Sequence, residues 1–101
     1  MGLKQDTPLS TLRSVMKPFI LVLNAIARNG GRARATEIIE SLRGISPTVI
    51  YTNLRKAMLE GLVTREGEHY VLTQKGREFL KSAIEEIKRL VEGAEKVEER
   101  F

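Results

Sequence analysis

The chain has 101 residues, of which 42% are apolar, 30% charged and 5% aromatic, the make-up of one helical domain with a core of its own rather than of a disordered tail. It has no cysteine, so a disulfide framework and thiolate metal sites are excluded and an intracellular, cytoplasmic protein is the expectation. The net charge of +4 is uneven: nine Lys/Arg oppose four Asp/Glu in residues 1–61, three oppose two in 62–77, and five oppose seven in 78–101, which points to an anionic partner for the first two thirds.

Leu9, Leu12, Met16, Phe19, Leu23 and Ile26 recur at helical spacing, but Pro18 falls inside the series and cannot donate the helical hydrogen bond. Two helices, or one kinked helix, are expected over about 8–16 and 18–29. Thr7-Pro8 would cap the first, Pro18 would open the second, and Asn29-Gly30-Gly31 would end it. The second carries Phe19, Ile20, Leu21, Val22, Leu23 and Ile26, which cannot all face one neighbour, so other elements should cover it. The run Phe19 to Leu23 is the longest apolar stretch, far below the ~20 residues of a membrane span, and the polar residues Lys4 to Asp6 do not read as a signal peptide. No membrane partner is expected.

Arg32-Ala33-Arg34 is a short extended candidate, and Ala35 to Leu42 places Ile38, Ile39 and Leu42 on one helical face. Ser46-Pro47 caps and opens a further helix whose inward stripe is Ile50, Leu54, Ala57 and Met58, with Gly61 as its stop. Two short helices joined by the tight turn at Arg43 to Ile45 form a helix-turn-helix candidate. Leu62 to Arg65 and His69 to Leu72 are strand-forming runs around Glu66-Gly67-Glu68, a β-hairpin signal. Thr73 can cap a last helix, where Leu80, Ile84, Ile87, Val91, Ala94 and Phe101 follow steps of four and three, with Glu98 at one expected apolar position. That helix is longer than the core of a small domain needs, so a second copy of the chain should cover the stripe Leu80, Ile84, Ile87, Val91 and Ala94.

The order helix, helix, short strand, helix, helix, hairpin, long helix resembles the winged helix-turn-helix DNA-binding proteins of bacteria and archaea, the PadR, HxlR and MarR regulator groups among them. Residues 18–80 carry the match, through Gly44-Ile45-Ser46-Pro47, Ile50-Tyr51, Leu54-Arg55, Glu60-Gly61-Leu62-Val63 and Tyr70-Val71-Leu72-Thr73-Gln74-Lys75-Gly76. The PadR pattern is the closest, although its proline after the tyrosine is Thr52 here. The resemblance implies a mainly α fold with a small β-hairpin: a winged helix-turn-helix domain over residues 1–77 and a coiled-coil-like dimerisation helix over 78–101. It also implies double-stranded DNA as partner, a homodimer, and transcription regulation as the function.

With Ile50 and Leu54 inward, Thr48, Thr52, Arg55 and Lys56 point outward and Tyr51 lies at the flank. In a winged helix this face enters the major groove, where Thr48, Tyr51 and Thr52 would lie near base edges and Arg55 would reach either guanine or phosphate. Arg32 and Arg34 precede the first helix of the motif, where phosphate contacts are expected, and Arg65 stands at the base of the hairpin. The acidic Glu66-Gly67-Glu68 departs from the basic wing tips of many relatives. The same residues also admit a solvated-surface reading.

His69 is the only histidine, so neither a multi-histidine metal site nor a Ser-His-Asp arrangement can be assembled. Gly30-Gly31 lacks the spacing of a phosphate loop, and the glutamates after Glu78 alternate with Lys and Arg as on a solvated coiled-coil flank. No enzyme activity, cofactor or metal is therefore expected, and a small-molecule effector is left open. Beside the regulator stand two other readings of the fold: a low-specificity architectural protein on DNA, and a winged helix used only for protein contacts.

Overall fold

A computed structural model describes residues 17–99, with side chains up to position 93. The helix expected at 8–16, Phe101 and the side chains of Ala94 and Glu98 lie outside the described residues.

The described chain is mainly helical, with four helices and a small three-stranded antiparallel sheet. In chain order these are α1 (Pro18–Arg28), β1 (Arg32–Arg34), α2 (Ala35–Ser41), α3 (Pro47–Leu59), β2 (Val63–Glu66), β3 (His69–Leu72) and α4 (Gln74–Glu99). Helices α1 and α3 both open on a proline, whose missing N–H costs nothing in the first turn. Both close in the same way, with a glycine at positive φ just past the cap, Gly30 at 80° and Gly61 at 77°. In each case the next two N–H groups return to the last turn: Gly30 to Ala27 and Gly31 to Ile26, Gly61 to Met58 and Leu62 to Ala57. These paired bonds satisfy carbonyls that would otherwise be orphaned.

The sheet order is β1-β3-β2, with Ala33 opposite Tyr70 and Val63 opposite Leu72. Its inner side contributes Ala33, Val63, Tyr70 and Leu72 to a core shared with Val22, Leu23 and Ile26 of α1, Ile38 of α2, Ile50, Leu54 and Ala57 of α3, and Leu80 of α4. Each large aliphatic side chain buried there stabilises the fold by about 1.5–3 kcal/mol. The breadth of apolar surface on α1 is explained by its place at the centre, where it touches α2, α3, α4, β1 and β3.

One hydroxyl joins the end of α3 to the start of α4. Thr73 Oγ1 donates to the Gly61 carbonyl at 2.7 Å and accepts the Gly76 N–H at 3.0 Å, so the expected cap also fixes where the long helix departs. With 26 residues, α4 is about 39 Å long, and it packs chiefly against α1 and β3. No helix among the described residues is long and apolar enough to cross a membrane.

Candidate nucleic-acid interface

Helix α3 is fixed at its start by Ser46, whose Oγ accepts the Val49 N–H at 3.3 Å, and it is held by the burial of Ile50, Leu54 and Ala57. Anchored on that stripe, it leaves Thr48, Tyr51, Thr52, Arg55 and Lys56 exposed. These five are not equivalent. Tyr51 and Arg55 face the hairpin, where together with Arg34 and Arg65 they line an open cleft of about 610 Å³ between the start of α2, α3 and the β2–β3 turn. Thr48 and Thr52 stand on the crest of the helix, outside the cleft. Lys56 lies on the opposite flank, its Nζ 5.0 Å from the centroid of the Phe19 ring, and so faces α1.

The polar groups on the crest are partly used within the helix. Thr52 Oγ1 donates to the Thr48 carbonyl at 2.9 Å, and Asn53 Nδ2 donates to the Val49 carbonyl at 2.8 Å. The Thr52 hydroxyl therefore offers a ligand its lone pairs and a neighbouring methyl group, and its proton only after that bond breaks.

Arg65 is held in place. Its Nε donates to the Gly67 carbonyl at 3.2 Å, and its guanidinium carbon lies 5.6 Å from the Tyr70 ring centroid, directly across the strand pair. The hairpin differs from the expected three-residue connection: Glu66 belongs to β2 and pairs with His69, leaving only Gly67 and Glu68 in the loop. Gly67 has φ of 62°, and a glycine at the first of two loop positions permits this tight turn. The shift matters for charge. Glu66 is carried onto the outer face of the sheet, while Glu68 lines the cleft with the arginines.

Arg32 does not line the cleft, and its side chain lies near Glu66 on the outer face. Of the stripe on α4, Leu80 is in the core, Ile84 packs against it, and Val91 is 8% exposed within the single chain, with Ile87 half-buried. Sequence reasoning missed Leu90, which is 63% exposed, and Leu59 at the end of α3, 83% exposed. It also missed Glu68 and Tyr70 as walls of the cleft, which only the strand pairing reveals. Among the described residues no group of three or more His, Cys, Asp or Glu is placed to hold a metal ion. Comparison with protein-family models gives no match, and a search of the curated proteins gives none either.

Proposed function

We propose that the chain is a winged helix-turn-helix DNA-binding protein that acts as a homodimeric transcriptional regulator. In this reading α2 and α3 form the turn motif, α3 enters the major groove, β2–β3 is the wing and α4 joins two copies. The observation that carries it is the cleft in which Arg34, Arg55 and Arg65 meet Tyr51 beside the exposed crest of α3. Three arginines and an aromatic ring around one opening suit a phosphate backbone, since guanidinium groups bind phosphate oxygens in planar, bidentate fashion. The crest residues Thr48 and Thr52, with Arg55 beside them, are then the groups nearest to base edges.

Two features favour the protein-contact reading: Glu68 stands among the arginines, and Leu59 is exposed at the end of the same helix. A salt series of binding to random and promoter duplexes separates the possibilities. A regulator binds random DNA with a steep salt dependence and prefers its operator by roughly a thousandfold or more. An architectural protein gives the salt slope without the preference, and no binding to either duplex leaves protein contacts.

A further inference from the structure

We propose that the seam between α1 and α4 is a binding site for a small organic carboxylate with a hydrocarbon body. At the end of the sheet away from the hairpin turn, these two helices leave an open pocket of about 440 Å³, a size within the ~300–1,000 Å³ usual for small-molecule sites. It shares no residue with the arginine cleft. Strand β3 reaches both, with Tyr70 on the cleft and Leu72 on the pocket.

The sequence leaves this room and charges its rim. Asn24 and Ala27 stand about one helical turn apart on α1, and Gly30 and Gly31 continue the wall without side chains. Ala27 is too small to fill the seam, so Leu72, Leu80 and Ile84 are left as an apolar floor. Arg77 and Lys81, four residues apart on one side of α4, are exposed at the rim. No acidic side chain is among the residues that line the pocket, and among the described residues neither cation forms a salt bridge. The last carbonyls of α1 are already engaged, Ile26 by the Gly31 N–H and Ala27 by the Gly30 N–H. Gly31 seats the guanidinium: a Cβ at position 31 would stand 2.8 Å from Arg77 Nη2, so only bare backbone lets that group lie against the turn.

The chemistry follows from this arrangement. Two cations one turn apart on a helix repel each other, and an anion held between them removes the repulsion. Arg77 takes a carboxylate through two parallel N–H bonds, and Lys81 adds a point charge. The Asn24 amide, across the seam on α1, has two N–H groups to donate. The floor then favours an acid with a hydrocarbon body over a bare inorganic anion, because Ala27 and Ile84, half-buried in the free chain, are covered only by the former.

Titration of the full-length, ¹⁵N-labelled chain with sodium benzoate at constant ionic strength, followed by NMR, tests the site. The expected result is saturable movement of the Gly30, Gly31 and Lys81 amide signals. Benzamide, the neutral isostere, and inorganic phosphate each bind at least about tenfold more weakly. Arg77→Gln removes the fork and Ala27→Leu fills the seam, and each weakens benzoate at least about tenfold while the melting temperature stays within a few degrees of the parent's. Arg89→Gln, exposed elsewhere on α4, leaves benzoate binding unchanged. No saturable shift below about 20 mM benzoate overturns the site, and so does equal binding of benzamide or an Arg77→Gln chain that binds as the parent does. Phosphate binding as tightly as benzoate overturns the hydrocarbon body, and undiminished binding to a folded Ala27→Leu chain places the acid outside the seam. None of these measurements uses DNA, so their failure leaves the DNA reading standing.

Discussion

The Arg32 guanidinium stands 4.0 Å from the Glu66 carboxylate, and the two are separated by an entire strand. The order β1-β3-β2 produces this. Arg32 pairs with Val71 and Glu66 pairs with His69 on opposite edges of β3, and cross-strand partners share a face, so both charged groups emerge on the outside of the sheet. Both side chains are more than half exposed, so the pair itself stabilises the fold by at most ~1 kcal/mol. Glu66 nevertheless competes with any phosphate for Arg32, while Glu68 sits among the cleft arginines.

The two carboxylates should therefore act differently on DNA. Glu68→Gln should tighten binding to any duplex, and Glu66→Gln should tighten it less, because Glu68 lines the cleft with the arginines whereas Glu66 lies beside Arg32 on the outer face of the sheet. Replacing both with lysine should steepen the salt dependence by up to roughly 0.9 log units per log salt for each additional phosphate neutralised. Fluorescence anisotropy on a labelled random duplex measures all three. If affinities and slopes stay unchanged, the hairpin does not approach DNA and α3 binds without it.

Arg55→Ala should weaken DNA binding by about 1–3 kcal/mol and leave the melting temperature unchanged, since Arg55 is exposed on the rim of the cleft and outside the core. Thr52→Val is the sharper probe of the crest. It keeps the methyl shape and removes a hydroxyl already donating to Thr48, so affinity should hold at sites where the methyl meets a thymine. It should fall only where the oxygen accepts from a base. Selection of bound sequences with both proteins shows which contact is used.

Most of this fold is written locally. Ser46-Pro47, Gly61, Thr73 and the Gly30-Gly31 pair place helix ends because each acts on groups within a few residues, and the apolar stripe Ile50, Leu54, Ala57 settles which side of α3 faces out. The cleft was less legible. Its walls come from α2, α3 and the hairpin, so bringing Arg34 to Arg65 depends on strand order, and the register of the hairpin depends on how far the turn at Gly67 tightens. A three-residue loop and a two-residue loop differ by one pairing step, and that step moves Glu66 away from the tip. On α4 two apolar stripes lie side by side, and periodicity alone does not say which one the core of the same chain takes.

Gly76→Ala should destabilise the protein by about 1–3 kcal/mol, although alanine is the better helix former. A Cβ at position 76 would run into the Leu62 carbonyl, with the Leu72 side chain 3.2 Å away, so the first turn of α4 would have to move off the sheet. Urea unfolding of the variant measures the loss. A midpoint equal to or above that of the parent would mean that α4 can shift at no cost, and the anchoring of that helix through Thr73 would need another explanation.

Lys56 and Arg55 are neighbours of like charge on the exposed side of α3, and the positions of their charged groups make them separable. The Lys56 ammonium lies over Phe19, whose ring in turn meets Phe79 edge-on with centroids 5.9 Å apart. A cation over an aromatic face at a partly exposed site contributes about 0.5–1 kcal/mol, so Lys56→Ala should lower stability by roughly that amount, with a small change in DNA affinity from the lost charge. Arg55→Ala should do the reverse, because its guanidinium faces the cleft and not the core. Paired measurements of urea midpoint and anisotropy on the two variants test the assignment. An equal loss of affinity from both would place the phosphate backbone across the whole width of α3, with the lysine leaving Phe19 to meet it.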